Sequence, residues 1–177
     1  MKTLISCLQI VSLICTVSFS QSDSTGTVKD IDGNVYKMVK IGDQWWMAED
    51  LKVTHYRNGD SIALVTINNE WAKLTSGAWR VYDNQDSYKD TYGLLYKWYA
   101  VDDSRNLAPE GWHVPSDEEW KVMEIYLGMS APDADDSSWR GTDEGGKLKT
   151  TGSIEDGDGI WHNPNTGATN ECGFSAN

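Results

Sequence analysis

The residues able to do chemistry are few and scattered. His55, His113 and His162 are the only histidines, and the cysteines are Cys7, Cys15 and Cys172. A nucleophilic triad needs a serine or cysteine, a histidine base and an acid in line. None of the histidines lies near a strained Gly-x-Ser-x-Gly turn. Joining Cys172 to a histidine would be left wholly to the fold. Zinc needs clustered His or Cys, and this set is dispersed. His113, between Trp112 and Val114, reads as a packed, hydrogen-bonded turn residue and not as a ligand. No catalytic residue is assigned, and the chain reads as a non-enzyme.

Hard-oxygen chemistry is a better match to the composition. Glu155, Asp156 and Asp158 surround Gly157 and Gly159, so carboxylates sit on a pliable loop, as calcium requires. The twelve-residue spacing and terminal glutamate of an EF-hand are missing, and an acidic Gly-rich loop can equally be a solvated turn. Asp133, Asp135 and Asp136 form a weaker candidate of the same kind. Trp139 and Trp161 lie in polar loops outside periodic apolar runs, where an indole face can stack on a sugar. The alternative is that these rings plug the edge of a core.

The element best placed to organise the rest is a helix beginning after Ser116. Ser116 can cap it, and Glu119 can reach back to the Ser116 N–H. Asp117, Glu118 and Glu119 put negative charge at the positive end of the dipole. Trp120, Met123 and Leu127 form one stripe, and Gly128 ends the helix. Pro115 holds Val114 extended, so the chain enters through a turn pinned by Trp112 and Trp120.

Upstream, Thr27 to Ile41 alternates around an Asp32-Gly33-Asn34 turn, and Gln44 to Met47 puts Trp45 and Trp46 on opposite faces. A meander of three short antiparallel strands is expected. Arg57-Asn58-Gly59-Asp60 reads as a hairpin turn, Thr66 to Gly77 as a short helix and Ala78 to Tyr82 as a strand. The aromatic run Tyr92 to Val101 alternates poorly, so it is buried on both faces or turns helical midway. Met129 to Gly146 reads as a long surface excursion, and Lys147-Leu148-Lys149 as a strand.

Residues 1–20 carry Lys2 and then an apolar run from Leu4 to Phe19, with small Ser18 and Ser20 before Gln21. This reads as a secretory signal peptide cleaved near Ser20. The run is too short and too polar for a membrane anchor, so no span is expected in the mature chain. Bulky Ile14 directly before Cys15 disfavours a lipoprotein site. Residues 21–26 read as a short disordered lead, and 27–177 as one domain. Loss of Lys2 takes the net charge from -12 to about -13, which excludes nucleic acid and anionic membrane surfaces as partners. The nine Trp and eight Tyr all fall after the leader and suit either a packed β-rich core or a sugar-stacking surface. Cys172 is then the lone thiol, so no internal disulfide is possible.

Four ordered blocks carry a family resemblance. The first runs from Asp32-Gly33-Asn34-Val35-Tyr36 through Val39-Lys40-Ile41-Gly42, Gln44 and Trp46-Met47-Ala48-Glu49 to Leu51-Lys52. The second is Tyr92-Gly93 with Leu95-Tyr96 and Trp98-Tyr99-Ala100-Val101. The third is Pro109 with Gly111-Trp112-His113-Val114-Pro115-Ser116-Asp117 and Glu119-Trp120. The fourth is Gly167-Ala168-Thr169-Asn170-Glu171 with Gly173-Phe174-Ser175-Ala176. Together they resemble the Fibrobacter succinogenes major paralogous domain of exported bacterial proteins, over nearly all of the mature chain.

The resemblance implies an α+β, C-type-lectin-like fold, with short antiparallel strands around one or two helices. The 114–120 segment is also similar to the helix start of formylglycine-generating enzymes. That likeness supports architecture and not activity, since their cysteine or copper site has no counterpart here. The family's disulfide, implied by the resemblance alone, is absent because Ala108 stands at one of its positions. The family also continues beyond Gly-Phe-Ser-Ala with a Gly-rich segment and a final strand, so the resemblance implies a C-terminally truncated domain. The resulting expectation is a secreted or cell-surface binding and adhesion module for glycan or extracellular protein. A structural matrix component without a specific ligand is the second reading, and an enzyme of the formylglycine-generating type the third.

Overall fold

The structure, a computed structural model, describes residues 24–175. The expected leader therefore lies outside the described residues. In chain order the elements are β1 (Thr25–Lys29), β2 (Val35–Ile41), β3 (Gln44–Met47), β4 (Ala63–Leu64), α1 (Asn68–Lys73), β5 (Ala78–Arg80), α2 (Lys89–Tyr92), β6 (Leu95–Tyr96), α3 (Trp98–Val101), α4 (Asp117–Tyr126), α5 (Ala131–Ala134) and α6 (Glu144–Leu148). Two short 3₁₀ turns, Tyr82–Asn84 and Asp86–Tyr88, precede α2. This is the expected mixed α+β composition.

The meander is present. β1 pairs antiparallel with β2, and β2 with β3, in the order β1-β2-β3. The first turn closes where the expected signal lies, with the Asn34 N–H donating to Asp30 Oδ1 at 2.9 Å and Gly33 at φ 88°. β1 begins at Thr25, inside the stretch expected to be disordered, because its ladder to β2 extends back to the Thr25–Val39 pair. The second sheet departs from the all-antiparallel expectation: β4 runs parallel to β5, and only β5–β6 is antiparallel. The Ala63–Leu64 and Ala78–Arg80 strands are joined through α1, and that crossover permits a parallel pair.

Two apolar clusters hold these parts. The first gathers Val39, Ile41, Trp46 and Ala48 from the β2–β3 side with Met123 and Leu127 of α4. The second gathers Val53, Tyr56, Ile62, Ala100 and Leu107. The aromatic run does turn helical midway, from β6 into α3.

The central helix forms as its sequence directs. Ser116 and Glu119 make both halves of the capping box, and Met123 and Leu127 are buried. The helix continues into a turn in which Met129 N–H donates to the Glu124 carbonyl at 3.0 Å.

Two expectations in the C-terminal third are corrected. The 129–146 excursion is not wholly superficial: Met129, Ala134 and Glu144 are buried. It is tied to α4 by Arg140, which donates to both Glu124 carboxylate oxygens at 2.9 and 2.8 Å. Lys147-Leu148-Lys149 is no strand, since Lys147 and Leu148 close α6. Long-range packing decides this. Gly146 lies so close to the Gly167 carbonyl that a Cβ would stand 2.1 Å from its oxygen, and Lys147 Nζ donates to the Leu127 carbonyl at 2.7 Å.

Candidate functional site

The outer edge of β3 borders a cleft of about 570 Å³. β3 supplies Gln44, Trp45, Trp46 and Met47, and the turn before α4 supplies Trp112, His113 and Pro115. Glu119 and Trp120 come from α4, and Phe174 from the C-terminal segment. Alternation in so short a strand puts Gln44 and Trp46 on one face and Trp45 on the other. Because the cleft follows the strand edge, it draws on both faces.

Its aromatic part is a packed trio. Trp46 and Trp120 have ring centroids 4.8 Å apart, and Phe174 meets them edge-on at 6.0 and 5.9 Å. Trp46 is buried, while Trp45 remains 39% exposed.

The polar part is organised by Glu119. Its Oε2 accepts from the Ser116 N–H at 2.8 Å and the Ser116 hydroxyl at 2.9 Å, and its Oε1 pairs with His113 Nε2 at 2.7 Å. The Ser116 backbone N–H, and then His113, hold the Glu119 carboxyl below the ordinary glutamate range. The carbonyl of Glu119 accepts from Gln44 Nε2 at 3.2 Å, which orients the Gln44 amide. Gln44 Oε1 and Trp46 Nε1 are both buried and have no hydrogen-bond partner among the described residues.

The turn bearing Trp112 is set by a residue outside the cleft. Arg57 Nε donates to the Ala108 carbonyl at 2.9 Å, and Nη2 to the Pro109 and Trp112 carbonyls at 3.0 and 2.7 Å. Arg57 itself sits in the expected hairpin turn, where Tyr56 N–H donates to the Asp60 carbonyl at 2.8 Å.

The two candidate ligand-stacking tryptophans, Trp139 and Trp161, do not line this cleft. Trp139 is fully exposed, at 101% of its reference area. Trp161 is half-buried, and Lys149 Nζ stands 4.3 Å from its ring centroid, so one indole face already holds a cation.

Glu155, Asp156 and Asp158, the candidate calcium ligands, are each held by partners within their own loop. Glu155 pairs with His162 Nδ1 at 2.7 Å and accepts the Asn163 N–H at 2.9 Å. Asp156 accepts from the Ser153 hydroxyl at 2.6 Å, and Asp158 from the Ser153 N–H at 2.9 Å. The acids stitch the loop to itself. Among the described residues no group of three or more His, Cys, Asp or Glu is arranged to hold a metal ion. His113 is hydrogen-bonded, as expected, but exposed and not packed.

Sequence reasoning placed Trp112 and Trp120 at the helix entrance and Trp45 and Trp46 on opposite strand faces. It did not bring those two groups together. The available signal was their clustering at the two ends of one core.

The fold and the cleft define a mixed α+β domain with an aromatic-lined pocket beside an edge strand. The chain belongs to the Fibrobacter succinogenes major domain family, whose profile matches residues 39–177. No curated protein and no solved structure matches the chain. Among the described residues no helix is long and apolar enough to cross a membrane.

Proposed function

We propose that this chain is an exported or cell-surface binding module, without catalytic activity, that takes a glycan in the cleft beside β3. The observation carrying this reading is the chemistry of that cleft. Indole walls from Trp45, Trp112 and Trp120 suit the C–H faces of a sugar ring. A few oriented polar groups, Gln44, His113 and Glu119, suit its hydroxyls. The one carboxylate among the lining residues, Glu119, is already bonded to Ser116 and His113, which favours a neutral ligand. The C-type-lectin-like reading of the fold belongs to the same proposal and is carried by the family resemblance.

The test is calorimetric titration with a panel of neutral oligosaccharides. Saturable binding is expected, and Trp112→Ala is expected to weaken it at least tenfold, the scale of a lost stacking contact of about 1.4 kcal/mol. If Trp139→Ala abolishes binding and Trp112→Ala does not, the site lies at Trp139 and the cleft reading fails. If no sugar binds, the structural matrix reading takes its place. Export is tested separately: the N-terminus of the protein recovered from the cell exterior should begin near Gln21.

A further inference from the structure

We infer that the second sheet carries a separate anion site, in which Arg80 and Lys97, held on the ring of Trp71, take the oxyanion of an acidic sugar unit, a carboxylate or a sulfate ester. The inference rests on the glycan reading above. It adds a charged subsite that shares no residue with the lining of the β3 cleft.

The sheet and its crossover helix bring the two cations together. Arg80 of β5 stands opposite Leu95 of β6, and the ladder runs on to Lys97, whose N–H donates to the Ala78 carbonyl at 2.9 Å. Side chains two residues apart on a strand share a face, so Lys97 lies on the face of Leu95 and Arg80. Diagonal neighbours of this kind are about 7–8 Å apart at the backbone, within reach of long side chains. α1, which joins β4 to β5, brings Trp71 to both. The Trp71 ring centroid is 5.0 Å from Arg80 Cζ and 5.5 Å from Lys97 Nζ. Asn68, one turn earlier on α1, accepts from Arg80 Nη1 at 2.8 Å.

Neither cation is neutralised by the protein. Arg80 and Lys97 enter none of the ion pairs formed among the described residues. The other arginines differ: three carbonyls take up Arg57, Asp60 and Asp103 take up Arg105, and Glu124 takes up Arg140. Arg80 Nε is enclosed, but Nη2 and the Lys97 ammonium are not among the enclosed, unpartnered atoms. Those two groups are what a ligand meets.

Their chemistry selects the ligand. Like charges on one ring repel, and an oxyanion between them removes that repulsion. Guanidinium N–H groups make charge-assisted bonds to carboxylate or sulfate oxygens, and Lys97 adds a second point charge. The net charge of -12 repels a dense polyanion such as nucleic acid, which favours one isolated negative group per sugar. Leu95, opposite Arg80 and 41% exposed, offers the sugar ring an apolar contact.

The experiment is calorimetry on the whole protein at low ionic strength, where such contacts are least screened. The probes are trigalacturonic acid and its trimethyl ester, which has the same sugar without the charge. The acid should bind at least tenfold more tightly than the ester, a ratio of affinities read within each protein. Arg80→Gln and Lys97→Gln should each bring that ratio close to one. Lys29→Gln makes the same change of net charge on the other sheet and should leave it unchanged. Lys97→Gln removes no hydrogen bond of the ammonium, so it serves if Arg80→Gln fails to fold. Glucuronate and glucose 6-sulfate, as competitors of trigalacturonic acid, identify which oxyanion the site prefers.

In the wild type, the Trp71 indole ¹H–¹⁵N resonance should shift with trigalacturonic acid. A shift at Trp112 in its place puts the acid in the β3 cleft and overturns the second site. Equal affinity for acid and ester, both weakened by Trp112→Ala, overturns the anion inference and leaves the glycan reading standing. No binding by these probes or by any neutral sugar overturns both. Displacement of trigalacturonic acid by triglutamate at similar concentration overturns the sugar as the source of the oxyanion.

Discussion

Arg57 offers the sharpest test of how the cleft is built. Its guanidinium makes three hydrogen bonds to the carbonyls of Ala108, Pro109 and Trp112, and Ala108 and Pro109 are buried. Arg57→Met keeps most of the apolar stem and removes the donors. A hydrogen bond to a charged group contributes about 1.5–3 kcal/mol in a buried setting, and less where water can replace the donor. With Arg57 itself half-buried, about 1 kcal/mol per bond is the appropriate scale, or about 3 kcal/mol in all. For a chain of this size each kcal/mol lowers the melting temperature by roughly 2–4 °C, so a fall of about 6–12 °C is expected.

Differential scanning calorimetry reads this directly. Arg57→Lys should recover about a third of the loss, because one ammonium on a flexible stem cannot span the carbonyls that the planar guanidinium fork bridges. The Trp112 turn loses its anchor in Arg57→Met, so affinity for a panel sugar should fall together with stability. A variant melting within about 2 °C of wild type would refute the assignment of Arg57 as the anchor of that turn.

Other outcomes follow from the same kind of reading. Tyr36 is fully buried, donates to Asp30 Oδ2 at 2.6 Å and accepts the Lys52 N–H at 2.9 Å, so Tyr36→Phe should cost about 1–3 kcal/mol in urea unfolding. Burial, and then the hydrogen bond to Asp30, pushes the Tyr36 hydroxyl well above the ordinary tyrosine range, and burial does the same for Tyr96. The unfolded chain therefore ionises first. The contribution of these groups is fully present below pH 10 and lost as pH rises above it, and Tyr36→Phe should flatten that alkaline slope. The Arg105 side chain, and then its backbone N–H, hold the Asp103 carboxyl down from 3.8 to about 2. Its contribution is present above pH 3.8 and lost as pH falls through about 2, so a ¹³C titration of Asp103 should show a midpoint near 2 that Arg105→Met raises. Gly146→Ala should destabilise by about 1–3 kcal/mol in the same urea assay, because the atom its Cβ would meet is a backbone carbonyl that cannot swing away.

Much of the local structure was legible in the residues. The Ser116–Glu119 capping box, the Asp32-Gly33-Asn34 turn, the Arg57–Asp60 turn and the opposed faces of Trp45 and Trp46 all form as their spacing directs. Where the reading failed, the determinants lay elsewhere in the chain. Lys147-Leu148-Lys149 alternates like a strand, but three residues cannot define a period, and the fit of Gly146 under the Gly167 carbonyl selects the helix. The acids at 155, 156 and 158 have the composition of a calcium loop, but composition does not say whether carboxylates converge. Here His162 and Asn163 hold Glu155, and Ser153 holds Asp156 and Asp158.

The division has a physical cause. Caps, turns and face alternation depend on dihedral preferences and hydrogen bonds within one or two turns of chain, so the amino-acid sequence settles them directly. The cleft depends on meetings between distant segments: Gln44 with Glu119, Trp46 with Trp120 and Phe174, and Arg57 with the turn at Trp112. Those contacts form only when burial of the core brings the segments together. They decide which of the many tryptophans become core, which become the wall of a site, and which, like Trp139, are left in water.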